Sequence, residues 1–436
     1  MNSKIINLSL SILFLFALGF FQSITAQQNE TDLYKWLKSV PEFEVKQIKG
    51  DDMFSEVYEI MVTMPVDHNN PEGQKFKQQV FLSHVDAEKP LVMYLEGYAT
   101  DNWTQELTKM LGCNQLVVEH RYFGESVPEP FDWKFLTIKQ AADDHHRIVE
   151  LFKKYYKDKW ISTGISKGGS TVIFHARYYP NDIDVCVPYV GPINFSTEDK
   201  RVYEWINSVS TPECREKVFN FQKLCLTKRD ELYPIFLQNA EEKKLTYQIV
   251  GSERAYEYAV LEYSFAYWQW SDGDCSKIPD ENSPIEEIWK HLLINGGVTY
   301  FSDQDIEGIY PFFYQCYTEY GYYGYDISPF GDLIKYADGH TPFFFPMHEL
   351  PEFDPTVTQD ISNWVQNEAN NFIFIYGGND PWSSTGVCLT GKTNSIKIVL
   401  PGGSHRTRIK SFTGKDKRLI ISKLEEWLGV NLQIGD

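Results

Sequence analysis

The chain carries no basic stripe: 60 aspartates and glutamates outweigh 41 lysines and arginines, for a formal net charge of −19 over 436 residues. A surface of that sign repels phosphates, which excludes nucleic acid as a partner. The plain reading of the acidity is solubility, with attraction of cationic substrates as a second use. No Cys/His spacing matches a metal site, and there is no internal repeat or low-complexity segment. One long apolar run exists, Leu8 to Phe21, after Lys4 and before Ser23-Ile24-Thr25-Ala26. It is short for a membrane span and has no charged stop, so residues 1–26 read as a secretory signal peptide rather than an uncleaved anchor. With no cysteine at the cleavage point there is no lipoprotein signal, and the expected location is periplasmic or extracellular, without stable membrane insertion. Loss of Lys4 with the leader takes the charge from −19 to −20.

All seven cysteines follow the leader, and an odd number leaves at least one without a disulfide. Cys186, in the strand-like Asp184-Val185-Cys186-Val187-Pro188, reads as a buried thiol. Cys214 and Cys225 can pair only across a turn, since on one helix they would lie about 16 Å apart along the axis.

The most informative stretch is Trp160-Ile161-Ser162-Thr163-Gly164-Ile165-Ser166-Lys167-Gly168-Gly169, an apolar strand running into a glycine-flanked serine and then a helical pattern. Such a turn holds the serine in a strained backbone conformation with its hydroxyl exposed, and flanking glycines avoid a clash across the turn. A serine nucleophile in that setting needs an acid and then a histidine, each on a loop after a later strand. After Phe372-Ile373-Phe374-Ile375-Tyr376 comes Asp380, the sole aspartate between Ile361 and His405; after Ile396-Lys397-Ile398-Val399-Leu400 comes His405, and no other histidine follows Asp380. The competing reading makes Asp380 an Asx turn with Pro381 and His405 a helix cap; it requires three coincident placements. His145 and His146 fall mid-helix, away from any such loop, and read as structural.

Before the serine the pattern alternates as an α/β sheet requires. Val57–Met64 and Phe76–Val85 read as an antiparallel pair, Leu91–Glu96 and Leu116–Glu119 as buried parallel strands, and Thr137–Tyr155 as an amphipathic helix. From about Phe195 to Leu350 the strand pattern gives way to a helical, strongly aromatic segment, too long for one sheet connection. The expected organisation is therefore a core in two parts, 27–195 and 351–436, interrupted by a helical cap domain over 196–350 that covers the serine and selects the substrate.

Four segments carry a resemblance: Met64-Pro65-Val66-Asp67-His68-Asn69-Asn70-Pro71, Glu119-His120-Arg121-Tyr122-Phe123-Gly124-Glu125-Ser126, the serine turn from Ser162 to Gly169, and Tyr314-Gln315-Cys316-Tyr317-Thr318-Glu319-Tyr320-Gly321-Tyr322-Tyr323. In this order they resemble the secreted bacterial tripeptidyl aminopeptidases of the PS-ten type, which are similar to lysosomal prolylcarboxypeptidase and dipeptidyl peptidase II. The resemblance implies an α/β-hydrolase fold with a large inserted helical cap, no metal or organic cofactor, peptide substrates, and a serine exopeptidase that removes tripeptides from free N-termini, often after proline. Proline suits an aromatic-walled pocket because its ring is apolar and has no N–H to satisfy. Most of the aromatic residues, Trp268 among them as a substrate-binding candidate, are nonetheless too many for one pocket and read as cap core.

In the expected mechanism His405 takes the Ser166 proton, Asp380 orients the imidazole, and an acyl-enzyme forms and is hydrolysed. Backbone N–H groups of Lys167 and of the Gly97 or Tyr98 loop are the candidates for the oxyanion hole. The Lys167 side chain reads as a solvent or structural contact rather than a base. A carboxylate in the cap is needed to hold the substrate ammonium. Glu319, with Gln315 four residues before it on one helix face, is the first choice; Glu262 and Glu257 are alternatives. An esterase or carboxypeptidase on the same scaffold, or a non-catalytic binding protein, are the other function classes; a binder has no reason to keep Ser166, Asp380 and His405 in this order.

Overall fold

A computed structural model describes residues 30–432; the expected leader lies outside them. The described residues divide into two compact units, residues 30–40 and 41–432. The first carries helix α1 (Asp32–Ser39), capped where Tyr34 N donates to Thr31 Oγ1 at 3.1 Å. Among the described residues no helix is long and apolar enough to cross a membrane.

The second unit is built on a nine-stranded sheet among the described residues: β1 (Phe43–Gln47), β2 (Glu56–Pro65), β3 (Lys75–His84), β4 (Leu91–Leu95), β5 (Asn114–Val118), β6 (Trp160–Ile165), β7 (Val185–Tyr189), β8 (Ile373–Gly377) and β9 (Ile396–Leu400). Their spatial order is β1-β2-β3-β5-β4-β6-β7-β8-β9. The pairs from β1 to β5 are antiparallel and those from β5 to β9 parallel. Both behaviours are written in the burial patterns. β2 alternates along much of its length, as a strand with one buried face does, whereas β4, β5, β7 and β8 are buried at every position, as strands covered on both faces must be. The strand order, with a sharp turn after β6, is the α/β-hydrolase fold. The four strands expected before the serine lie within two residues of their predicted ends. β1 escaped the pattern because only Phe43 in it is buried.

Helices α2 (Glu106–Leu111), α3 (Ile138–Phe152) and α4 (Lys167–Tyr178) connect the strands up to β7. Thr137 caps α3 by accepting from Gln140 N at 3.1 Å. Residues 190–372, between β7 and β8, hold no sheet strand among the described residues. They form α5 (Arg201–Ile206), α6 (Pro212–Thr227), α7 (Arg229–Lys243), α8 (Ser252–Trp270), α9 (Ile285–Asn295), α10 (Asp303–Gly308), α11 (Tyr310–Gln315) and α12 (Pro355–Asn367); α13 (Gly414–Leu428) closes the chain. α8 is buried almost all round and packs against α6, α7 and α9, so its apolar character on every face reflects a central position. Cys214 and Cys225 lie on the same continuous helix, α6, and therefore do not pair; Cys214 is bonded to Cys275 instead. Cys186 is a buried thiol, as expected.

Candidate functional site

The carboxyl ends of the parallel strands open onto a cavity of about 1260 Å³. From β4 the chain passes to β5 on one side and β6 lies on the other, so the loops diverge and leave a crevice at this switch point. Ser166 stands there at φ 59°, ψ −123°, a backbone conformation that costs a residue with a side chain of order 1–3 kcal/mol. The turn is held by Ser166 N donating to Tyr189 O at 2.9 Å and Ser170 N donating to Ser166 O at 3.0 Å. The flanking glycines answer to space: a Cβ on Gly164 would lie 2.3 Å from Gly168 O, and one on Gly168 2.5 Å from Leu95 O.

Asp380 and His405 arrive on the loops after β8 and β9, and His405 Nδ1 is 2.7 Å from Asp380 Oδ2. In the tautomer with its proton on Nδ1, His405 donates to this carboxylate and leaves Nε2 as an acceptor. The Asx turn weighed as an alternative also exists, since Asp380 Oδ1 accepts from Trp382 N at 3.2 Å; one carboxylate makes both contacts. The histidine loop is pinned to α8 by His405 N donating to Gln269 O at 2.9 Å, and Arg408 donates to His405 O at 3.0 Å. Ser166 and His405 line the cavity, while Asp380 is completely buried.

Of the anion-binding candidates, Tyr98 lines the cavity and Gly97 lies against the serine turn, where a Cβ would stand 2.6 Å from Lys167 Cβ. The Lys167 side chain is not in solvent. It is buried, its Nζ donates to Gly97 O at 2.6 Å, and the rings of Tyr98 and Phe123 lie 5.5 and 5.2 Å from it. Burial pushes its ammonium down to about 7.

The four substrate-binding candidates separate. Glu262 on α8 lines the cavity, and its carboxylate accepts from Tyr325 Oη at 2.7 Å and from Tyr323 Oη at 3.0 and 3.1 Å. Burial pushes it up to about 7 against those two donors, and no cation pairs with it among the described residues. Glu319, the first choice, is not in the cavity. α11 ends at Gln315 and the chain widens into a π turn, Cys316–Tyr320, closed by Gly321 N donating to Cys316 O at 3.1 Å. The Glu319 Oε2 instead accepts from Ile138 N at 2.8 Å at the start of α3, and burial pushes its carboxyl up to about 7. Gln315 lines a separate cavity of about 10 Å³ beside His145, with Oε1 lacking a partner, and Trp268 lines another of about 420 Å³. Glu257 is consumed by Arg229 and by the N–H groups of Lys335, Tyr336 and Ala337. His145 and His146 do not reach the main cavity; His146 Nδ1 is 2.8 Å from Asp182.

Of the cavity carboxylates that escaped the sequence reading, two stand nearest the strand ends by sequence, each one residue past a strand. Glu96, at the end of β4, is pushed up to about 7 by burial. Its one signal was position, the last residue of an apolar run at the carboxyl end of a central strand. Glu119 accepts from Ser126 Oγ at 2.7 Å, Glu125 N at 2.9 Å and Thr100 N at 3.2 Å, so the motif from Glu119 to Ser126 is a loop clamp. Within it, buried Arg121 forks onto Asp144 at 2.6 and 2.9 Å. Among the described residues no group of three or more His, Cys, Asp or Glu side chains is placed to hold a metal ion.

Residues 26–434 match the PS-10 peptidase S37 family. A prolyl tri/tetrapeptidyl aminopeptidase from Streptomyces mobaraensis is 31% identical over 375 residues, which span 84% of this chain and 79% of that one. Among solved structures, VinJ is similar at 11% identity and a TM-score of 0.41, covering 84% of this chain and 98% of its own. A proline iminopeptidase from Mycobacterium smegmatis is similar at 12% and 0.38, covering 85% and 97%. With a family match over nearly its whole length, the chain belongs to the PS-10 peptidase S37 family and is a serine peptidase.

Proposed function

We propose that this peptidase is an exported aminopeptidase that releases tripeptides, Xaa-Xaa-Pro among them, from free N-termini through an acyl-enzyme on Ser166. The observation that carries the reading is the placing of a cation-free carboxylate, Glu262, in the same cavity as Ser166 and His405. His405 Nε2 takes the hydroxyl proton as Ser166 attacks, and Asp380 stabilises the resulting imidazolium. The imidazolium then protonates the leaving amine, and water releases the tripeptide by the same steps. Backbone N–H groups of Lys167 and Tyr98 receive the oxyanion. Residues 196–350 act as the cap, placing Glu262 at a fixed distance from Ser166 so that a bound ammonium sets how many residues precede the cut. Aromatic walls from Tyr300, Phe312, Tyr320, Tyr322, Tyr323 and Trp382 suit a proline ring. The aminopeptidase named above, at 31% identity, supports the same substrate class.

The test is mass-spectrometric product analysis of the wild type and Ser166→Ala on one proline-containing peptide, with its N-terminus free or acetylated. Tripeptides from the free peptide alone, absent with Ser166→Ala, are expected; equal cleavage of the acetylated form would remove the amine anchor.

A further inference from the structure

The peptide unit that links Gly97 to Tyr98 is held from one side. Lys167 Nζ donates to the Gly97 carbonyl at 2.6 Å, and His120 N donates to the next carbonyl, that of Tyr98, at 3.2 Å. In a trans peptide the C=O and N–H point in opposite directions. An anchor on the Gly97 oxygen therefore fixes where the Tyr98 N–H points. No acceptor takes that N–H among the described residues, although Tyr98 lines the cavity that holds Ser166. The Lys167 side chain is absent from that cavity's wall and borders the small one beside His120, His145 and Gln315. The ammonium thus grips the far side of the loop.

We propose that Lys167 is the positioning residue of the oxyanion hole: its backbone N–H is one donor, and its side chain aims and polarises the other, the N–H of Tyr98. The inference rests on the acyl-enzyme reading above. It accounts for a buried lysine directly after the nucleophile, which is costly unless the charge does something there. Part of that cost is offset by the faces of Tyr98 and Phe123. A charged donor also binds the carbonyl more strongly than a neutral one and pulls electron density from the peptide, making its N–H a better donor to a developing anion. Gly97 is required because its backbone lies against the Lys167 stem.

The groups that face Lys167 are Glu96 at the end of β4, Tyr98, His120 beyond β5, His145 on α3, and Cys316 and Tyr320 on the π turn. Burial lowers both histidines, His145 to about 3, so neither adds positive charge near neutrality. The lysine, lowered to about 7, is charged below that pH and neutral above it. Turnover at saturating substrate should therefore decline as pH rises through about 7.

Lys167→Met tests this against a free-amine peptide with a leaving group after its third residue, the corresponding tripeptide aldehyde, whose adduct with Ser166 places an oxyanion in the hole, and the free tripeptide product. The expected result is a kcat lower by about 10- to 100-fold with KM within about twofold. Aldehyde affinity should fall by the same factor, product affinity should hold, and the alkaline decline should vanish. Unchanged kcat, or kcat and product affinity falling together, overturns the proposal. Should the variant not fold, the wild-type kcat profile decides: no decline above about 7 overturns it. Activity surviving in Ser166→Ala would instead sink the acyl-enzyme reading, so the two failures are distinguishable.

Discussion

On the strand-end side of the site, three ionisable groups are matched by hydrogen-bond partners brought in by the loops. Asp380 has His405 and Trp382 N, Glu119 has Ser126 and two backbone N–H groups, and Lys167 has Gly97 O. On the wall contributed by the residues between β7 and β8, Glu262 has only two phenol hydroxyls. A carboxylate buried with two phenol donors and no cation is under-compensated, and burial drives Glu262 to about 7. In the proposed aminopeptidase this difference separates preorganised chemistry from a site waiting for its charge: the strand-end wall is finished before substrate arrives, and the substrate ammonium would finish the second.

The strongest way to break this contrast is Asp380→Asn. The amide can offer its N–H to Nδ1 and force the proton onto Nε2, so the imidazole meets Ser166 as a donor. A loss of about 10⁴-fold in kcat is expected, with KM near wild type. A loss under tenfold in steady-state assays would show that the finished wall does not depend on its carboxylate.

Glu262→Gln removes the unfinished charge and should act in the opposite sense on stability and on binding. Peptides with a free amine should show KM raised by about 10- to 100-fold, consistent with loss of a charge-assisted pair worth about 1.5–3 kcal/mol, while acetylated peptides are unaffected. In the wild type KM for free-amine peptides should fall as pH rises through about 7, because the carboxylate must ionise to hold the ammonium; the variant should lack that dependence. For stability, a carboxyl with its folded pKa raised above the unfolded value is fully stabilising below about 4.5 and loses that contribution as pH climbs through about 7. The substrate-free variant should therefore be more stable than wild type above pH 7, by about 2 kcal/mol in denaturant melts. A variant that is less stable there would mean the charge already has a partner.

The same contrast explains what could be read from the chain. Ser166, Asp380 and His405 each follow an apolar strand directly or by one loop, so short apolar runs located them, as they located the parallel part of the sheet. Glu262 and Glu319 sit on helical segments whose outward face depends on packing from elements far away in sequence. There the choice between them turned on packing, which brings Glu319 to the first N–H of α3 and Glu262 to the cavity. The partner of Cys214, 61 residues on, was equally non-local. The motif Glu119–Ser126 was visible as a pattern but not as a clamp, because its acceptors and donors, Thr100, Tyr98 and Asp144, lie on other loops and on α3.

Glu319→Ala gives the smallest effect and the sharpest check on that reassignment. The Glu319 carboxylate meets the first N–H of α3, where a helix has donors without internal acceptors and a partial positive charge. Its removal leaves one such donor open beside α3, 181 residues away in sequence, and touches nothing that lines the catalytic cavity. The expected cost is about 1 kcal/mol of unfolding free energy, typical of a lost cap. kcat, KM and the fall of KM through about 7 should stay at wild-type values. A tenfold KM increase confined to free-amine peptides would return the anchor to Glu319 and leave Glu262 as a cap carboxylate held by its two tyrosines alone.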